Sequence, residues 1–161
     1  FILESKNWGE FVIAKSFMFY AILSVATLFI SGPIVDKFSS RKILPLMNIP
    51  SLFAMLILFF SDNYISSYFL LGLMGISNGL ANVLGSSTWA EIYGVKYLGS
   101  IKALTTSMMV FSTAFGTAIF GIIIDLGYPI ETIAMLSFTY IIASNILIVI
   151  FKDDIKPVLA K

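Results

Sequence analysis

Two asparagines, Asn78 and Asn82, lie one helical turn apart in an uncharged apolar stretch, and Ser86 follows one turn later. An amide both donates and accepts hydrogen bonds, and away from water it must find a polar partner. The spacing therefore predicts a polar surface that binds a small solute through Asn78, Asn82 and Ser86. Hydrogen bonds between helices would satisfy the same amides, so both interpretations stay open.

One cation, Lys15, lies well inside another apolar stretch, four residues from its start. Its long stem lets the ammonium reach back to water at the edge of a membrane, and this is the simpler interpretation. The alternative is a substrate-binding role in which Lys15 neutralises an anion.

Catalytic chemistry has little support in this sequence, which contains no His and no Cys. The usual near-neutral proton shuttle, thiolate metal sites and disulfides are therefore excluded. No carboxylate lies deep in an apolar stretch, and no glycine-rich loop is present to cradle a nucleotide phosphate. We predict neither an enzyme nor a cofactor or metal, and no nucleic-acid partner.

Composition shows which elements must position these residues. The chain has 161 residues, of which 58% are hydrophobic and 12% charged, with a mean hydropathy of +0.96. Soluble domains are about 25% charged. A helix needs about 20 mostly apolar residues to cross a bilayer. Five runs meet this requirement, at residues 11–31, 43–60, 64–90, 101–124 and 132–151. The fold class is therefore all-α, a polytopic membrane helix bundle with five transmembrane helices.

The segments between the runs predict the orientation. With five crossings, segments 36–42, 91–102 and the tail share one side and hold eight of the basic residues, whereas the other side holds Lys6 alone. Cytoplasmic loops carry an excess of lysine and arginine, so the N-terminus is predicted outside and the C-terminus in the cytoplasm.

Small and polar residues recur at helical spacing on three runs. The first carries Ser16, Tyr20, Ser24, Thr27 and Ser31, and the fourth carries Thr105, Met109, Ser112, Thr113, Gly116 and Thr117. For Ser, Thr and Gly the favoured interpretation is helix packing, because small side chains let two backbones approach. The predicted packing glycines are Gly75, Gly79, Gly116 and Gly121. The first, third and fourth runs are predicted to face the bundle interior, the second and fifth its periphery.

The segment after the first run carries the most specific pattern. It combines Gly32, Asp36, Lys37, Arg41 and Lys42 at the spacing G-x-x-x-D-[RK]-x-x-x-R-[RK]. This resembles the signature between the second and third helices of each half of Major Facilitator Superfamily transporters, with Ser39 in place of the inner glycine. The resemblance implies that these five residues are gating residues that latch two halves of a transporter together.

Three other stretches are similar to the same superfamily: residues 7–10, which begin with Asn7 and Trp8, residues 89–102 and residues 116–125. The resemblance implies that residues 1–161 form part of a C-terminal six-helix half, its eighth to twelfth spans, and that an N-terminal half is its partner. The chain begins at Phe1 without an initiator Met, and we interpret it as a piece of a longer polypeptide.

The implied function is secondary active transport of a small solute across the bilayer by alternating access, with a bacterial inner membrane as the predicted location. The loops most resemble oxalate–formate exchangers and monocarboxylate transporters, which favours an organic anion. The alternatives are efflux of apolar compounds, which 15 Phe and 7 Met would suit, and a non-transporting scaffold or sensor.

Overall fold

Long helices make up nearly all of the computed structural model, which describes residue 6 and residues 8–152. Within these ranges no strand occurs. The α-helices are α1 (Glu10–Phe38), α2 (Ser40–Ile43), α3 (Ile49–Phe60), α4 (Ser66–Tyr93), α5 (Leu98–Asp125) and α6 (Ile130–Phe151), with short 3-10 turns at Leu44–Asn48 and Val95–Tyr97. The predicted all-α fold class is confirmed.

Five helical segments are long and apolar enough to span a membrane. Four of them contain α1, α4, α5 and α6, and the fifth joins α2 to α3 through the intervening 3-10 turn as Ser40–Phe60. The helix of the first span continues past the predicted end at Ser31 to Phe38. Gly32 therefore does not end this helix, which continues and buries Val35 one turn further on. Most of the motif is helical rather than part of a loop.

The longest interface joins α1 and α4, which run parallel. Ser16 contacts Ser67 near one end, with 2.8 Å between the Oγ atoms. Ser39 contacts Glu91 near the other end, with 2.9 Å between Ser39 Oγ and Glu91 Oε2. Because α1 and α4 are parallel, their C-terminal ends lie on the same side of the bundle. The charge pattern predicts the same side for the segments that follow these two helices.

We call the end that carries residues 36–42, Glu91 and Lys152 the basic end. Arg41 and Lys42 line one pocket together with Lys152, so residues 36–42 lie beside the C-terminal end of α6. At the opposite end Lys6 contacts Asp62 and Glu131. The structure thus groups the segments by side in the way that five crossings require.

Two apolar clusters hold the bundle together. The larger lies towards the opposite end and joins α3, α4 and α6 under Trp8, with Ala54, Met55, Leu58, Leu70, Leu71 and Ala134 at its centre. The smaller lies at the basic end and contains Val35, Ile43 and Leu84. In the larger cluster α3 and α6 pack against α4, and Ile13 and Tyr20 of α1 pack against the same cluster.

Helix α5 differs from the others because none of its residues is buried by the described part of the chain. It contacts α4 and α6 only sparsely. Its exposed surface is largely apolar, with Phe111 70% exposed and Phe115 65% exposed. In a bilayer this helix therefore has faces open to lipid or to further protein.

Some predictions concern residues outside the described ranges. These are the part played by Asn7 in its motif and the side assigned to the tail lysines Lys156 and Lys161. All remain predictions.

Candidate functional site

Two glycines of α4 lie directly against the backbone of α1. A Cβ atom added to Gly75 would lie 2.5 Å from the carbonyl oxygen of Tyr20. One added to Gly79 would lie 2.6 Å from the carbonyl oxygen of Ser24 and 2.7 Å from Cβ of Thr27. Real Cβ atoms do not approach other atoms so closely, so only glycine allows this separation of the two helices.

The serine stripe of α1 fills the same seam. Ser16, Ser24 and Ser31 are all buried, at 0%, 7% and 2% exposure. Ser31 Oγ donates to its own helix at Thr27 O, 2.6 Å away. Ser16 Oγ forms a hydrogen bond with Ser67 Oγ on α4. In this structure the stripe therefore packs against α4 and does not line an open path.

Asn78 and Asn82 lie at the edge of that seam, and both residues are exposed. Asn78 Nδ2 donates to Ser24 Oγ at 3.1 Å. Asn82 Nδ2 donates to Asn78 O at 2.9 Å, and Ser86 Oγ donates to Asn82 O at 3.1 Å. The amide of Asn78 thus bridges two helices, whereas the other two residues turn back onto their own helix. The amide oxygens of these two exposed residues can accept further hydrogen bonds.

Lys15 lies apart from this polar edge. It neighbours the buried Ser16 in sequence, yet it is exposed, and Nζ lies 4.3 Å from the ring centroid of Phe11, one turn towards the opposite end. A lysine over an aromatic ring near the end of a span is typical of an anchor at the membrane boundary. The structure does not bring Lys15 to Asn78 or Asn82.

At the basic end, Glu91 organises the motif. Its Oε1 accepts a hydrogen bond from the backbone N–H of Ser40 at 2.8 Å, and its Oε2 accepts one from Ser39 Oγ at 2.9 Å. Arg41 Nε lies 3.5 Å from Oε2. Thr88 Oγ1, one turn earlier on α4, contacts Ser40 Oγ at 3.0 Å. The short α2 helix is therefore held to the end of α4 chiefly by one carboxylate.

Sequence reasoning did not assign a role to Glu91. A usable signal was present, since Glu91 is the only acidic residue between Asp62 and Asp125 and lies at the end of a span, beside a basic loop. What the sequence could not show is that α1 and α4 are parallel neighbours, which places this acid against Arg41.

The backbone at Ser39 explains why the family signature has a glycine there. Ser39 adopts φ 68° and ψ 136°, and it is the only non-glycine residue with positive φ in the described ranges. Such a conformation is strained for any residue with a side chain. The hydrogen bond from Ser39 Oγ to Glu91 offsets part of this cost. The turn is therefore kept although the glycine is absent.

The remaining motif residues surround an open pocket at the basic end. Asp36, Lys37, Arg41, Lys42 and Glu91 are among its lining residues, and its volume is about 680 Å³. Asp36 and Lys37 are exposed and form no ion pair within the part of the chain described here. Both groups are available to a further polar surface.

Three other predicted glycines have free space around them. Among the described residues, nothing lies within 4 Å of a Cβ atom added to Gly32, Gly116 or Gly121. A packing role for Gly116 and Gly121 therefore requires a neighbour other than the helices described here, and it remains a prediction.

A second cluster of charges lies at the opposite end. Lys6 Nζ lies 2.6 Å from Asp62 Oδ1 and 2.9 Å from Glu131 Oε1, and its side chain is only 4% exposed. Trp8 Nε1 donates to the carbonyl oxygen of Asp62 at 2.8 Å. Burial alone would lower the pKa of Lys6, but the hydrogen bonds and charges of the two carboxylates outweigh it and raise that pKa. This cluster ties the segment before α1 to the α3–α4 turn and to α6.

We expect this tie to be lost at strongly alkaline pH. Because the pKa of Lys6 is raised in the folded state, its stabilisation is fully present below the ordinary lysine pKa and disappears as pH rises through the raised value. Amide hydrogen exchange at residues 8–13, corrected for intrinsic rates, should then accelerate. Lys6→Met should show the faster exchange already at neutral pH, without the alkaline step, whereas the exposed-residue control Lys37→Met should behave as wild type. An identical step in Lys6→Met would contradict the assignment.

These features define an integral membrane protein built from long, apolar helices with a polar edge on one of them. The family model of the Major Facilitator Superfamily matches residues 1–160, and the chain therefore belongs to this superfamily. That family consists of membrane transporters rather than enzymes, and the predicted resemblance is confirmed at this level. Comparison with curated proteins and with solved structures gives no match.

Proposed function

We propose that this chain forms one side of a solute path in a secondary active transporter that works by alternating access. The observation that carries the proposal is the polar edge of α4, formed by the exposed Asn78 and Asn82 and the half-buried Ser86, on a helix that also packs against α1 and α3. In a bilayer such an edge is stable only against water, a solute or another polar surface.

The depth of this edge supports the proposal. Asn78 lies twelve residues after the start of α4 and fifteen before its end. At 1.5 Å per residue these separations are about 18 and 22 Å, which puts the amide near the middle of the span. Transporters of this superfamily place substrate sites near the bilayer midplane, between two bundles. A partner bundle, the predicted N-terminal half, would supply the other wall and cover the exposed faces of α5.

The basic end supplies the proposed latch. Glu91 holds Ser39, Ser40 and Arg41 to α4, while Asp36 and Lys37 remain exposed beside them. These exposed charges, with Lys42, are positioned to contact a partner bundle when the basic end is closed and to release it when that end opens. Gly32 is included among the proposed gating residues only because it belongs to the superfamily signature.

The substrate we propose is a small organic anion, on the resemblance to oxalate–formate exchangers and monocarboxylate transporters. The amides would bind it by donating hydrogen bonds through the second N–H of each Nδ2, while the first N–H keeps its present acceptor. Lys15 is the weaker part of this proposal because its contact with Phe11 favours an anchoring role. In the uptake assay described next, Lys15→Ala should lower anion uptake and Lys15→Arg restore it; no difference would leave Lys15 as an anchor.

Uptake kinetics of the intact transporter in proteoliposomes test the site. With oxalate and lactate as probes, Asn78→Leu or Asn82→Leu is expected to raise KM roughly tenfold, since an unpaired polar group in a binding site costs about 1–3 kcal/mol. Asn145→Leu is the matched control, because it removes an amide from α6, outside the polar edge of α4.

Expression and folding should be similar in all three variants. Unchanged kinetics in Asn78→Leu and Asn82→Leu would remove these residues from the site. If the wild-type protein takes up neither anion but expels apolar dyes, the efflux alternative replaces the anion, and absence of any transport favours the scaffold or sensor.

A further inference from the structure

The basic end carries a second, smaller pocket, and an apolar groove precedes it along α6. We propose that the two together bind one anionic phospholipid, with its phosphate in the pocket and an acyl chain in the groove. This inference does not depend on the transported solute.

The pocket has the charge and the position for a phosphate. It is lined by Ser39, Arg41, Lys42 and Lys152 and has a volume of about 240 Å³. Three cationic side chains thus converge from two separate parts of the chain, the α2 helix and the C-terminal end of α6, beside the Ser39 hydroxyl, whose proton is donated to Glu91. Guanidinium and ammonium groups are the usual partners of phosphate oxygens.

The groove lies between α3 and α6 and is almost purely apolar. It is lined by Leu52, Ile142, Asn145, Ile146, Val149 and Ile150, with a volume of about 350 Å³. Five of these six side chains are aliphatic. Both helices belong to membrane spans, so the natural occupant of the groove is hydrocarbon.

The groove and the pocket are arranged along one face of α6. Ile142, Asn145, Val149 and Lys152 follow at spacings of three, four and three residues, which places them on one side of the helix. Lys152 keeps helical dihedral angles, with φ −56° and ψ −33°. From Ile142 to Lys152 the face extends about 15 Å at 1.5 Å per residue. This face has a charged group at the membrane boundary and apolar side chains deeper in the span. A phospholipid has its headgroup and acyl chains in the same order.

This arrangement favours a lipid over a free phosphate ion. A free ion would use the three cations but would leave the aliphatic groove without a role. The basic end also faces the predicted cytoplasmic leaflet, which is the leaflet rich in anionic lipids. Arg41 also lies beside Glu91. A bound lipid phosphate would therefore contact one of the residues that Glu91 holds in the proposed latch.

Retention of lipid by the intact chain tests the proposal. The protein is purified in detergent, incubated with equal amounts of dioleoyl phosphatidylglycerol and dioleoyl phosphatidylcholine, and examined by native mass spectrometry. We expect retention of phosphatidylglycerol in preference to phosphatidylcholine. The double variant Lys42→Gln, Lys152→Gln should lower the affinity for phosphatidylglycerol about tenfold or more, because each basic residue near an anionic surface contributes appreciably.

The matched control is Lys96→Gln, Lys102→Gln, which removes the same charge from exposed residues near the same end that do not line the pocket. It should retain phosphatidylglycerol as the wild type does. Equal losses in the two double variants, or equal retention of the two lipids by the wild type, would overturn the proposal.

A groove variant distinguishes a lipid from a free phosphate. Val149→Trp fills the groove and should weaken binding of dioleoyl phosphatidylglycerol at least fivefold while leaving short-chain dihexanoyl phosphatidylglycerol unaffected. Millimolar inorganic phosphate should not displace the long-chain lipid. Displacement by phosphate, or an unchanged affinity in Val149→Trp, would show an ion site without a lipid.

Discussion

Gly75→Ala is expected to destabilise the bundle, although alanine is the better helix former. The added Cβ would lie 2.5 Å from Tyr20 O and 3.1 Å from its Cα, and these are backbone atoms that cannot rotate away. Overpacking of this kind costs about 1–3 kcal/mol. The gain in helix propensity from Gly to Ala is about 1 kcal/mol, so the clash with backbone atoms should outweigh it.

The same helix provides the matched control. Nothing in the described ranges lies within 4 Å of a Cβ atom added to Gly85. Gly85→Ala should therefore leave stability unchanged or raise it slightly. Gly72→Ala should fall between the two, because its Cβ would meet only the end of the Leu23 side chain, at 2.9 Å.

Unfolding by SDS in mixed micelles, followed by circular dichroism, measures the order of the three variants. A second readout is the yield of a disulfide between Ser16→Cys and Ser67→Cys, whose hydroxyl oxygens are 2.8 Å apart; the chain has no native cysteine to interfere. Both the midpoint and the yield should fall in Gly75→Ala. Equal midpoints in Gly75→Ala and Gly85→Ala would contradict the close approach of α1 and α4.

Glu91→Ala is expected to release α2 from α4. The substitution removes the acceptor for the Ser40 N–H and for Ser39 Oγ, and it removes the partner of Arg41. Hydrogen bonds to a charged group contribute about 1.5–3 kcal/mol, whereas a partly exposed ion pair contributes about 0.2–1 kcal/mol. The carboxylate's two hydrogen bonds should therefore matter more than its ion pair with Arg41.

Amide hydrogen exchange over residues 39–43 measures this release. Glu91→Ala should reduce protection roughly tenfold or more. Glu91→Gln should retain most of the protection, because its amide oxygen still accepts from Ser40 and its amide nitrogen can donate to the Ser39 hydroxyl. Glu10→Ala, which removes an exposed acid at the opposite end, is the control and should leave these amides unchanged. If Glu91→Gln lost as much protection as Glu91→Ala, the ion pair with Arg41 would be the dominant interaction.

The two predictions concern the middle and one end of one helix pair, and together they describe how it would behave in a transporter. The glycine seam fixes α1 and α4 as one rigid unit through the membrane. The Glu91 contacts fix the short α2 helix to the end of that unit. A rigid pair with an adjustable end suits the proposed alternating access, in which bundles move as bodies around a central site.

The positions of individual site residues show where sequence reasoning reaches its limit. Buried Ser16 and exposed Asn82 belong to similar periodic stripes, and periodicity alone predicts a polar or small face without naming what covers it. Serine satisfies its own hydroxyl on the helix backbone, so it suits a packed seam and an open path equally. Ser16 is buried because it packs against α4, where its partner Ser67 is 51 residues away in sequence.

The sequence by itself determined the five spans, their grouping by side and the superfamily signature, because the cost of placing polar backbone and charge in lipid acts locally along the chain. Only the tertiary structure decided that α1 and α4 are parallel neighbours, that Glu91 holds the motif, and that Ser39 keeps a glycine-like turn. These features depend on contacts between residues about 50 positions apart. Such contacts depend on how closely two helix surfaces fit together, and the hydropathy pattern of the sequence does not predict that fit.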